Sequence, residues 1–512
     1  MRATALAAFL LVAPTMAAAQ TASDGHPLAG FDAYVEQAVH DWDVPGLAIA
    51  VVKDDSVVFA KGYGVRALGS NAPVDLHTLF ANASTTKAFT AMAVAMMVDE
   101  GVLGWDDPVS DHLPTFILYD PYVTREVTVR DLLTHRIGFG DPFYLWYGVD
   151  LDYQEMVRRL RDVEPQSSFR ARYAYNNVSY ATAGIIAGQS NGTSWDELVQ
   201  QRILGPLGMS ETVTQKLALS GRDNVAHPHD YVDDSLQVIP DDGIGLVDPI
   251  GPAGSMYSSV ANMTEWLRFL LNEGRVGDEQ LVSDAAFAEL FRPQVIVPAD
   301  RFYPTARLTQ PHFTAYGLGW FLQDYRGEFV AFHTGSIDGT VAIVGLIPEH
   351  ELGVVVFANR DHAELRHALM FRLFDAYLGE PQRDWSAEMR EMYEELAARG
   401  EERLAQLEAG RVHGTTPTLP LDEYAGVYAG NPYGSVEVRF EGGSLVMERS
   451  EFLTADLSHW HYDTFRAHWR NRWIDPGLVS FHLGSDGEVA SLEFFGMSLA
   501  KEPEEDSEPG NR

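Results

Sequence analysis

The chain contains no cysteine among its 512 residues, and this absence excludes three kinds of structure. It can form no disulfide, no zinc site with thiolate ligands and no lipid anchor attached through a cysteine. Without disulfides its stability must come from a large hydrophobic core, which a chain of this length can provide. A hydrophobic share of 46% and a charged share of 21% then predict a globular protein of two or more domains.

Positive charge is also scarce. The 37 Lys and Arg residues are outnumbered by 73 Asp and Glu residues, which gives a formal net charge of −36 at pH 7. This excess of negative charge disfavours binding to nucleic acids and to anionic membranes, and we expect neither as a partner. Only 5 of the 37 basic residues are lysine, so the surroundings of each lysine are informative.

Long apolar runs are missing except at the start of the chain. Arg2 precedes an apolar run over 5–13, and the small residues 17–19 then offer a cleavage site. This pattern predicts a secretory signal peptide over residues 1–19. No later run is long enough to cross a bilayer, so we expect a periplasmic or secreted protein without a membrane anchor.

The pattern of apolar residues predicts an α+β domain over residues 20–380. Two apolar runs around a polar turn at 53–56 indicate a hairpin, and residues 84–270 are mostly helical in pattern. Four further runs are predicted as strands of the same antiparallel sheet: 316–320, 329–332, 341–346 and 354–357. The sheet therefore unites both ends of the domain, and a mostly helical lobe is inserted between them.

Three further segments are predicted after this domain. Apolar side chains at helical spacing among many Glu and Arg residues indicate a helical linker over 381–417. Short strand-like runs between turns predict a small antiparallel β-barrel over 418–500, followed by a disordered acidic tail over 501–512. Three histidines in the barrel lack the fixed spacing of metal ligands, so we interpret them as core and rim residues: His459, His461 and His468.

One of the few lysines opens a stretch with the pattern of a buried helix. Lys87 follows Ser84 by three residues, and an Ala- and Met-rich run continues to residue 97. Residues at positions i and i+3 share a helix face, so the two side chains point into the same cleft. A desolvated lysine can lose its proton and then act as general base for the serine, whereas an arginine stays protonated. The structural alternative is a helix-capping serine followed by a solvated lysine.

A second motif consists of Tyr175 and Asn177 at the start of another helical run rich in small residues. A tyrosine beside a neutral lysine can relay the serine proton. An asparagine can bond to Lys87 while it donates a hydrogen bond to a substrate carbonyl. The alternative for this motif taken alone is a turn with a packed tyrosine.

A third motif, His333-Thr334-Gly335-Ser336, lies in the second β-region. The glycine lets a substrate backbone approach the strand edge. The N–H of Ser336 would pair with that of Ser84 as an oxyanion hole, and His333 would bind a carboxylate or assist proton transfer. A polar strand end is the alternative interpretation.

In this order, the three motifs resemble those of the penicillin-recognising serine hydrolases. This family includes class C β-lactamases, D-Ala-D-Ala carboxypeptidases, D-aminopeptidases and related esterases. Four further stretches are similar to the same family: 44–46, 132–135, 252–258 and 316–320. The resemblance covers roughly residues 30–375 and implies a β-lactamase/transpeptidase-like fold. The stretch 421–428 is similar to the lipocalin-like barrels appended to some of these hydrolases.

The resemblance implies a mechanism by acyl transfer. Ser84 attacks a carbonyl while Lys87 and Tyr175 take its proton, and the backbone N–H groups of Ser84 and Ser336 hold the oxyanion. The remaining site residues would bind the substrate: Asn177, His333, Thr334 and Gly335. No metal or organic cofactor is needed. His333 departs from typical β-lactamases of the family, which have lysine there, and is similar to certain carboxypeptidases and D-aminopeptidases.

These observations favour a serine hydrolase acting as a peptidase or amidase on small peptides, with D-amino-acid peptides as one class of substrate. A carboxylesterase is the near alternative, because esters are easier acyl donors, and a β-lactamase is the third. A protein of another class, a catalytically silent ligand-binding protein, also stays open. The barrel either caps the cleft or mediates a homo-oligomer, or it binds an apolar ligand inside.

Overall fold

A computed structural model of the protein describes residues 26–245, 247–381 and 383–503. The signal peptide predicted over 1–19 lies outside the described residues, as does the predicted tail from residue 504 onward. Within the described ranges, no helix is both long enough and apolar enough to cross a membrane.

The strands form one large sheet, one closed barrel and three short pairs. In chain order they are β1 Gly46–Lys53, β2 Ser56–Gly64, β3 Phe80–Ala81, β4 His229–Val232, β5 Ser235–Val238, β6 Tyr257–Ser258, β7 Arg275–Val276, β8 Glu279–Gln280, β9 Val295–Ile296, β10 Thr314–Tyr316, β11 Phe321–Tyr325, β12 Glu328–Ile337, β13 Thr340–Ile347, β14 Leu352–Ala358, β15 Gly426–Gly430, β16 Gly434–Glu441, β17 Ser444–Glu448, β18 Thr454–His461, β19 Thr464–Trp469, β20 Gly477–Leu483, β21 Val489–Phe494 and β22 Met497–Lys501. The large sheet has the order β2-β1-β14-β13-β12-β11-β10-β9, and all its pairings are antiparallel.

Most helices lie, in sequence, between the first two strands of the large sheet and its remaining strands. In chain order they are α1 Phe31–Asp41, α2 Thr86–Asp99, α3 Val109–His112, α4 Pro121–Glu126, α5 Val129–Leu133, α6 Tyr153–Arg159, α7 Asn177–Ser190, α8 Trp195–Val199, α9 Gly251–Gly254, α10 Val260–Leu271, α11 Asp284–Leu290, α12 Ala306–Thr309, α13 Leu365–Leu378 and α14 Trp385–Ala409. This arrangement confirms the predicted α+β fold with an inserted, mostly helical lobe.

The centre of the large sheet is buried on both faces. Every residue of β13 is buried, which explains its continuous apolar sequence. Helix α13 covers one face, where a Cβ on Gly345 would lie 2.3 Å from the sulfur of Met370. Helix α10 covers the other, where a Cβ on Gly353 of β14 would lie 3.1 Å from Leu267. The domain is thus a sheet between helical layers.

The strand predicted over 316–320 was wrong beyond its first residue. β10 ends at Tyr316, and residues 317–320 form the turn that leads to β11. Gly319 adopts a φ of +85°, which favours glycine, and a Cβ there would lie 3.0 Å from the carbonyl oxygen of Lys87. The apolar residues of this run therefore pack a turn against α2 instead of extending a strand.

The predicted linker helix is present as α14, but its first half belongs to the core of the first domain. Trp385 is fully buried and stacks on Phe371 of α13 with ring centroids 5.2 Å apart. Met389 and Met392 are buried as well, whereas the second half of the helix is exposed. The apolar spacing in the first half therefore reflects packing on α13.

The C-terminal strands β15 to β22 pair in sequence and close into a barrel, as predicted. Four aromatic side chains pack on one another inside it: Tyr424, Tyr428, Phe465 and Phe481. The last strand extends to Lys501, one residue past the predicted boundary. The likeness to lipocalins in particular stays a prediction.

The barrel contacts several segments of the first domain, and the loop over 143–148 makes the aromatic contacts. Phe495 stacks on Tyr144 at 4.7 Å, and Phe452 meets the ring of Tyr147 edge-on at 5.5 Å. The Ser450 hydroxyl donates a hydrogen bond to the carbonyl oxygen of Gly148 at 2.5 Å. The loop over 143–148 is therefore fixed from outside by the barrel.

Candidate active site

Ser84 lies at the start of the central buried helix, as the sequence predicts. A short 3-10 turn, Ala83–Thr85, leads into α2, in which Thr86–Met97 are buried. Ala83 has a φ of +45°, a conformation that a non-glycine residue adopts only when its surroundings impose it. Ser84 itself is half-buried and lines a cavity of about 110 Å³. The hydroxyl therefore opens into a cleft while the helix behind it is rigidly packed.

Lys87 points into the same cleft from the next turn, with 0% exposure. Its Nζ lies 3.1 Å from Ser84 Oγ, 2.7 Å from Asn177 Oδ1 and 2.8 Å from the carbonyl oxygen of Ala253. Burial lowers the pKa of Lys87 to about 7, and the charge of Asp141 acts in the opposite direction. A large fraction of this lysine is therefore neutral at neutral pH.

The three partners of Lys87 Nζ determine where its lone pair points. The oxygens of Asn177 and Ala253 can only accept, so each takes one N–H of the lysine. A neutral amine has two N–H groups, and its lone pair is left for the third partner, Ser84 Oγ. The deprotonated lysine therefore accepts the hydroxyl proton of Ser84, which is the geometry of a general base beside a nucleophile.

Tyr175 lies over the same lysine, with its ring centroid 4.8 Å from Nζ. Burial raises the pKa of Tyr175 well above its ordinary value, while a hydrogen bond with Ser84 acts in the opposite direction. The phenol is therefore neutral in the resting site and can relay a proton without serving as a phenolate base. Of the two groups, only Lys87 has a pKa near neutrality.

Asn177, the first residue of α7, is oriented by a residue that sequence reasoning missed. Its Nδ2 donates to Asp141 Oδ2 at 2.9 Å, and its backbone N–H donates to Asp141 Oδ1 at 2.9 Å. Trp146 Nε1 donates to the same carboxylate at 3.1 Å. A carboxylate only accepts, so the amide group of Asn177 faces Asp141 and its oxygen faces Lys87. The only available sequence signal was an isolated aspartate after a glycine-rich turn.

The third motif forms the end of β12, beside Ser84. The pairing with β11 stops at Phe332, so residues 333–337 pair with β13 alone and leave their other edge open. A Cβ on Gly335 would lie 2.3 Å from the carbonyl oxygen of Asn82 and 2.8 Å from the backbone nitrogen of Ser84. Glycine is therefore needed at this position so that β12 can approach the serine turn. The sequence alone instead predicted that the glycine makes room for a substrate backbone.

His333 and Thr334 face inward instead of toward the cleft. His333 is 1% exposed, its Nδ1 donates to the carbonyl oxygen of Thr334 at 2.6 Å, and its Nε2 accepts from the Tyr316 hydroxyl at 3.1 Å. Burial, with the nearby charge of Lys87, lowers the pKa of His333 to about 3, so it is neutral. The Thr334 hydroxyl bonds to that of Tyr303 at 2.5 Å. This differs from the expected carboxylate-binding role, because both ring nitrogens of His333 are already paired.

Ser336, in contrast, is exposed at the cleft, and a buried arginine supports it from behind. Arg366 donates to Ser336 Oγ at 2.9 Å and to the carbonyl oxygen of Ala342 at 3.3 Å, and it also bonds to the carbonyl of Gly335. Its charge is balanced by Glu364, 3.1 Å away. Arg366 stands 30 residues beyond the motif, so no local pattern reveals it.

Two cavities border residues of the site. The smaller one contains Ser84, Asn177 and Ser336 and is walled by aromatic side chains of the 143–147 loop. The larger one, of about 770 Å³, borders Tyr175 and has Arg172 and Arg301 in its wall. Tyr175 thus borders the larger cavity and Ser84 the smaller one.

No described group of three or more His, Asp or Glu side chains is arranged to hold a metal ion. The three barrel histidines have separate partners, since His459 contacts the carbonyl of Tyr462 and His468 contacts Ser458. His461 accepts from the backbone N–H of Val412.

Known proteins match both parts of the chain. A family model described as Beta-lactamase matches residues 31–377, and a domain of unknown function, DUF3471, matches residues 410–509. The unguisins hydrolase ungD of Aspergillus violaceofuscus is 31% identical over 459 residues, which cover 81% of this chain and 77% of that protein. Penicillin-binding protein 4 of Amycolatopsis lactamdurans is 30% identical over 318 residues, covering 62% of this chain and 81% of the relative.

Solved structures share the fold at lower identity. The octameric penicillin-binding protein homologue from Pyrococcus abyssi has a TM-score of 0.60 and 23% identity over 92% of this chain and 99% of its own. The crystal structure of SurE has a TM-score of 0.55 and 20% identity over 92% of this chain and 98% of its own. Fold and matches together define a penicillin-recognising serine hydrolase. The chain belongs to the β-lactamase family, which confirms the resemblance seen in the sequence.

Proposed function

We propose that this protein hydrolyses small peptides or amides through an acyl-enzyme formed on Ser84. The observation that carries the proposal is the contact between Lys87 Nζ and Ser84 Oγ at 3.1 Å, in a site that leaves the lysine lone pair for the hydroxyl. General hydrolase activity is common to the family and to the relative named as a hydrolase.

Acylation begins when neutral Lys87 takes the hydroxyl proton and Ser84 Oγ attacks the substrate carbonyl carbon. The carbonyl electron pair moves to oxygen, and the backbone N–H groups of Ser84 and Ser336 stabilise the resulting oxyanion. The amide side of Asn177 stays fixed by Asp141, so its oxygen continues to accept from Lys87 as that group becomes positively charged.

Expulsion of the leaving group requires a proton on the departing nitrogen. Lys87 now carries that proton, and the neutral Tyr175 phenol beside it relays the proton across the site. The carbon–nitrogen bond breaks as the oxyanion collapses, and the amine departs. Water then repeats the sequence: it gives a proton to Lys87, attacks the ester carbonyl and releases the acid while Ser84 regains its hydrogen.

The preference for peptides or amides over β-lactams is supported by His333. A neutral, fully paired histidine supplies no positive charge at the third motif, where the β-lactamases it resembles have lysine. The relative named unguisins hydrolase supports hydrolysis as the reaction, and the one named penicillin-binding protein keeps β-lactam acylation as an alternative. Esters react at the same site with less demand on leaving-group protonation, so a carboxylesterase is the second candidate.

Two further expectations belong to this proposal. The predicted signal peptide supports a periplasmic or secreted location, and the similarity to an octameric penicillin-binding protein homologue supports a homo-oligomer as an assembly to test. A substrate panel tests the function itself: p-nitrophenyl esters, D- and L-aminoacyl p-nitroanilides and a chromogenic cephalosporin, each with wild type and Ser84→Ala. We expect Ser84-dependent release from anilides and esters and little from the cephalosporin. No Ser84-dependent turnover of any substrate would contradict the proposal and favour a ligand-binding protein.

A further inference from the structure

The cavity beside Ser84 contains a carboxylate that the proposed reaction does not use. Asp338 lies just past the end of β12, two residues after Ser336, and lines the same cavity of about 110 Å³. The charge of Lys216, which lines a second cavity together with Asp338, acts to lower the pKa of this carboxyl, but Lys216 forms its ion pair with Asp241 at 3.8 Å. Within the part of the chain that is described, no arginine or lysine forms an ion pair with Asp338.

Asp338 is held in a fixed position by neutral donors. The Tyr147 hydroxyl donates to its carboxylate, with distances of 2.9 and 3.0 Å to the two oxygens, and the backbone N–H of Gly245 donates at 2.8 Å. Tyr147 is itself stacked on Phe143 at 4.5 Å and backed by Phe452 of the barrel. Burial of the negative charge costs free energy that neutral donors only partly offset, and it raises the pKa of the carboxyl.

The proton relay indicates which half of the substrate lies beside Asp338. The group that protonates the leaving nitrogen has to face it, so the leaving group occupies the Tyr175 side, where the larger cavity opens. The acyl half of the substrate then falls on the opposite side of Ser84, in the cavity with Asn177 and Asp338. A carboxylate in this wall therefore faces the acyl group.

The other walls of this cavity suit a small cation. Phe143, Trp146 and Tyr147 line it, and aromatic faces attract ammonium groups. The cavity is the smaller of the two, about 110 Å³ against about 770 Å³ for the one that borders Tyr175, and so it suits the smaller part of a substrate.

We infer that the acyl half of the substrate carries a free ammonium group that binds Asp338, so that the enzyme releases an unblocked N-terminal amino acid from short peptides or amides. This inference rests on the proposed function. It assigns Asp338 as a specificity-determining residue and Tyr147, which bonds to it, as a positioning residue. The ammonium group of the substrate then forms the ion pair that no described arginine or lysine forms with Asp338.

A competing explanation is that Asp338 only fixes the loop around Gly245. The two explanations differ in substrate dependence. A structural role affects all substrates alike, whereas ammonium recognition affects only those with a free amine.

The test compares alanyl p-nitroanilide, in both enantiomers, with propionyl p-nitroanilide, which lacks only the amino group. The same pairs are offered as p-nitrophenyl esters, so that weak amidase activity does not hide the result. The variants are Asp338→Asn and, as a matched control, Asp241→Asn, which changes an exposed aspartate beside Lys216.

We expect wild type to prefer the alanyl compounds, and Asp338→Asn to lower their kcat/KM by at least ~10-fold through KM. Turnover of the propionyl compounds should stay within ~3-fold, and Asp241→Asn should match wild type. Equal losses on both compounds, or a preference of wild type for propionyl, would overturn the ammonium site while leaving a Ser84 hydrolase intact. If Ser84→Ala removed no turnover of either compound, the proposed function would fall and this inference with it.

Discussion

Asp141 accepts a hydrogen bond from the side-chain amide of Asn177 at 2.9 Å and thereby turns the amide oxygen toward Lys87. Asp141 therefore influences the protonation of Lys87 through Asn177, without contacting the lysine itself. Asp141 also favours the charged form of Lys87 through its own charge. Both effects lead to one test.

Replacing Asp141 by Asn should reduce activity. One carboxylate oxygen becomes an N–H₂ group facing the donors of Asn177 or Trp146, so the amide of Asn177 loses its fixed orientation. We expect kcat/KM to fall ~10- to 100-fold, as for the loss of a charge-assisted hydrogen bond. The acid limb of the pH profile should also move to lower pH, because the lost negative charge no longer stabilises protonated Lys87. The exposed Asp278→Asn variant is the control, and an unshifted limb with full activity would contradict the role.

Lys87→Arg should be nearly as inactive as Lys87→Ala. Arginine keeps the positive charge but does not release its proton, so it cannot accept one from Ser84. The expected loss is ~10²- to 10⁴-fold in kcat/KM, measured on the best ester of the panel. Lys61→Arg, at a half-exposed lysine paired with Asp32, should keep full activity. Substantial turnover by Lys87→Arg would refute the neutral-lysine mechanism.

The pH dependence follows from the pKa of about 7 for Lys87. The active form is neutral, so kcat/KM should fall tenfold per pH unit below about 7 and reach a plateau above it. His333 does not contribute to this limb, since its pKa is about 3. Accordingly, His333→Asn should leave the midpoint unchanged even if it lowers the plateau. A shifted midpoint in His333→Asn would contradict the assignment of Lys87 as the group that titrates in this limb.

Gly335→Ala should disable the site without unfolding the protein. The added Cβ would lie 2.3 Å from the carbonyl oxygen of Asn82 and 2.8 Å from the nitrogen of Ser84, so β12 and the serine turn must separate. We expect kcat to fall ~10²-fold or more, as for the loss of an oxyanion donor. Gly400→Ala, in an open position of α14, should be neutral or stabilising by about 1 kcal/mol. Unchanged kcat in Gly335→Ala would show that the close approach is not needed.

The parts of the site that the sequence predicted are those with local motifs. Ser84 and Lys87 share a helix face, and Tyr175 and Asn177 flank the start of α7, so spacing alone places them. Asp141 depends on a tertiary contact with no periodic signature, and a sequence motif cannot reveal it.

The sequence predicted neither the direction of the His333 side chain nor the residue at which β10 ends. His333 was expected to face substrate, but Tyr316 and the carbonyl of Thr334 hold its ring in the interior. The run at 316–320 has the composition of a strand, yet Gly319 at φ +85° turns it against α2. Both outcomes are decided by how the sheet packs on the serine helix.

The barrel was predicted from its rhythm of short strands, but its contact with the active-site loop was not. Phe452 and Phe495 reach Tyr147 and Tyr144 across more than 300 residues of sequence, and no pattern indicates that pairing. The contact places the barrel behind Tyr147, in the wall of the cavity that Ser84 lines.

Mass spectrometry of the protein trapped with an activated phosphonate identifies the nucleophile. We expect a single adduct on the peptide that contains Ser84, a labelling rate that is half-maximal near pH 7, and no adduct in Ser84→Ala. An adduct on another residue, or labelling that persists in Ser84→Ala, would contradict the role of Ser84.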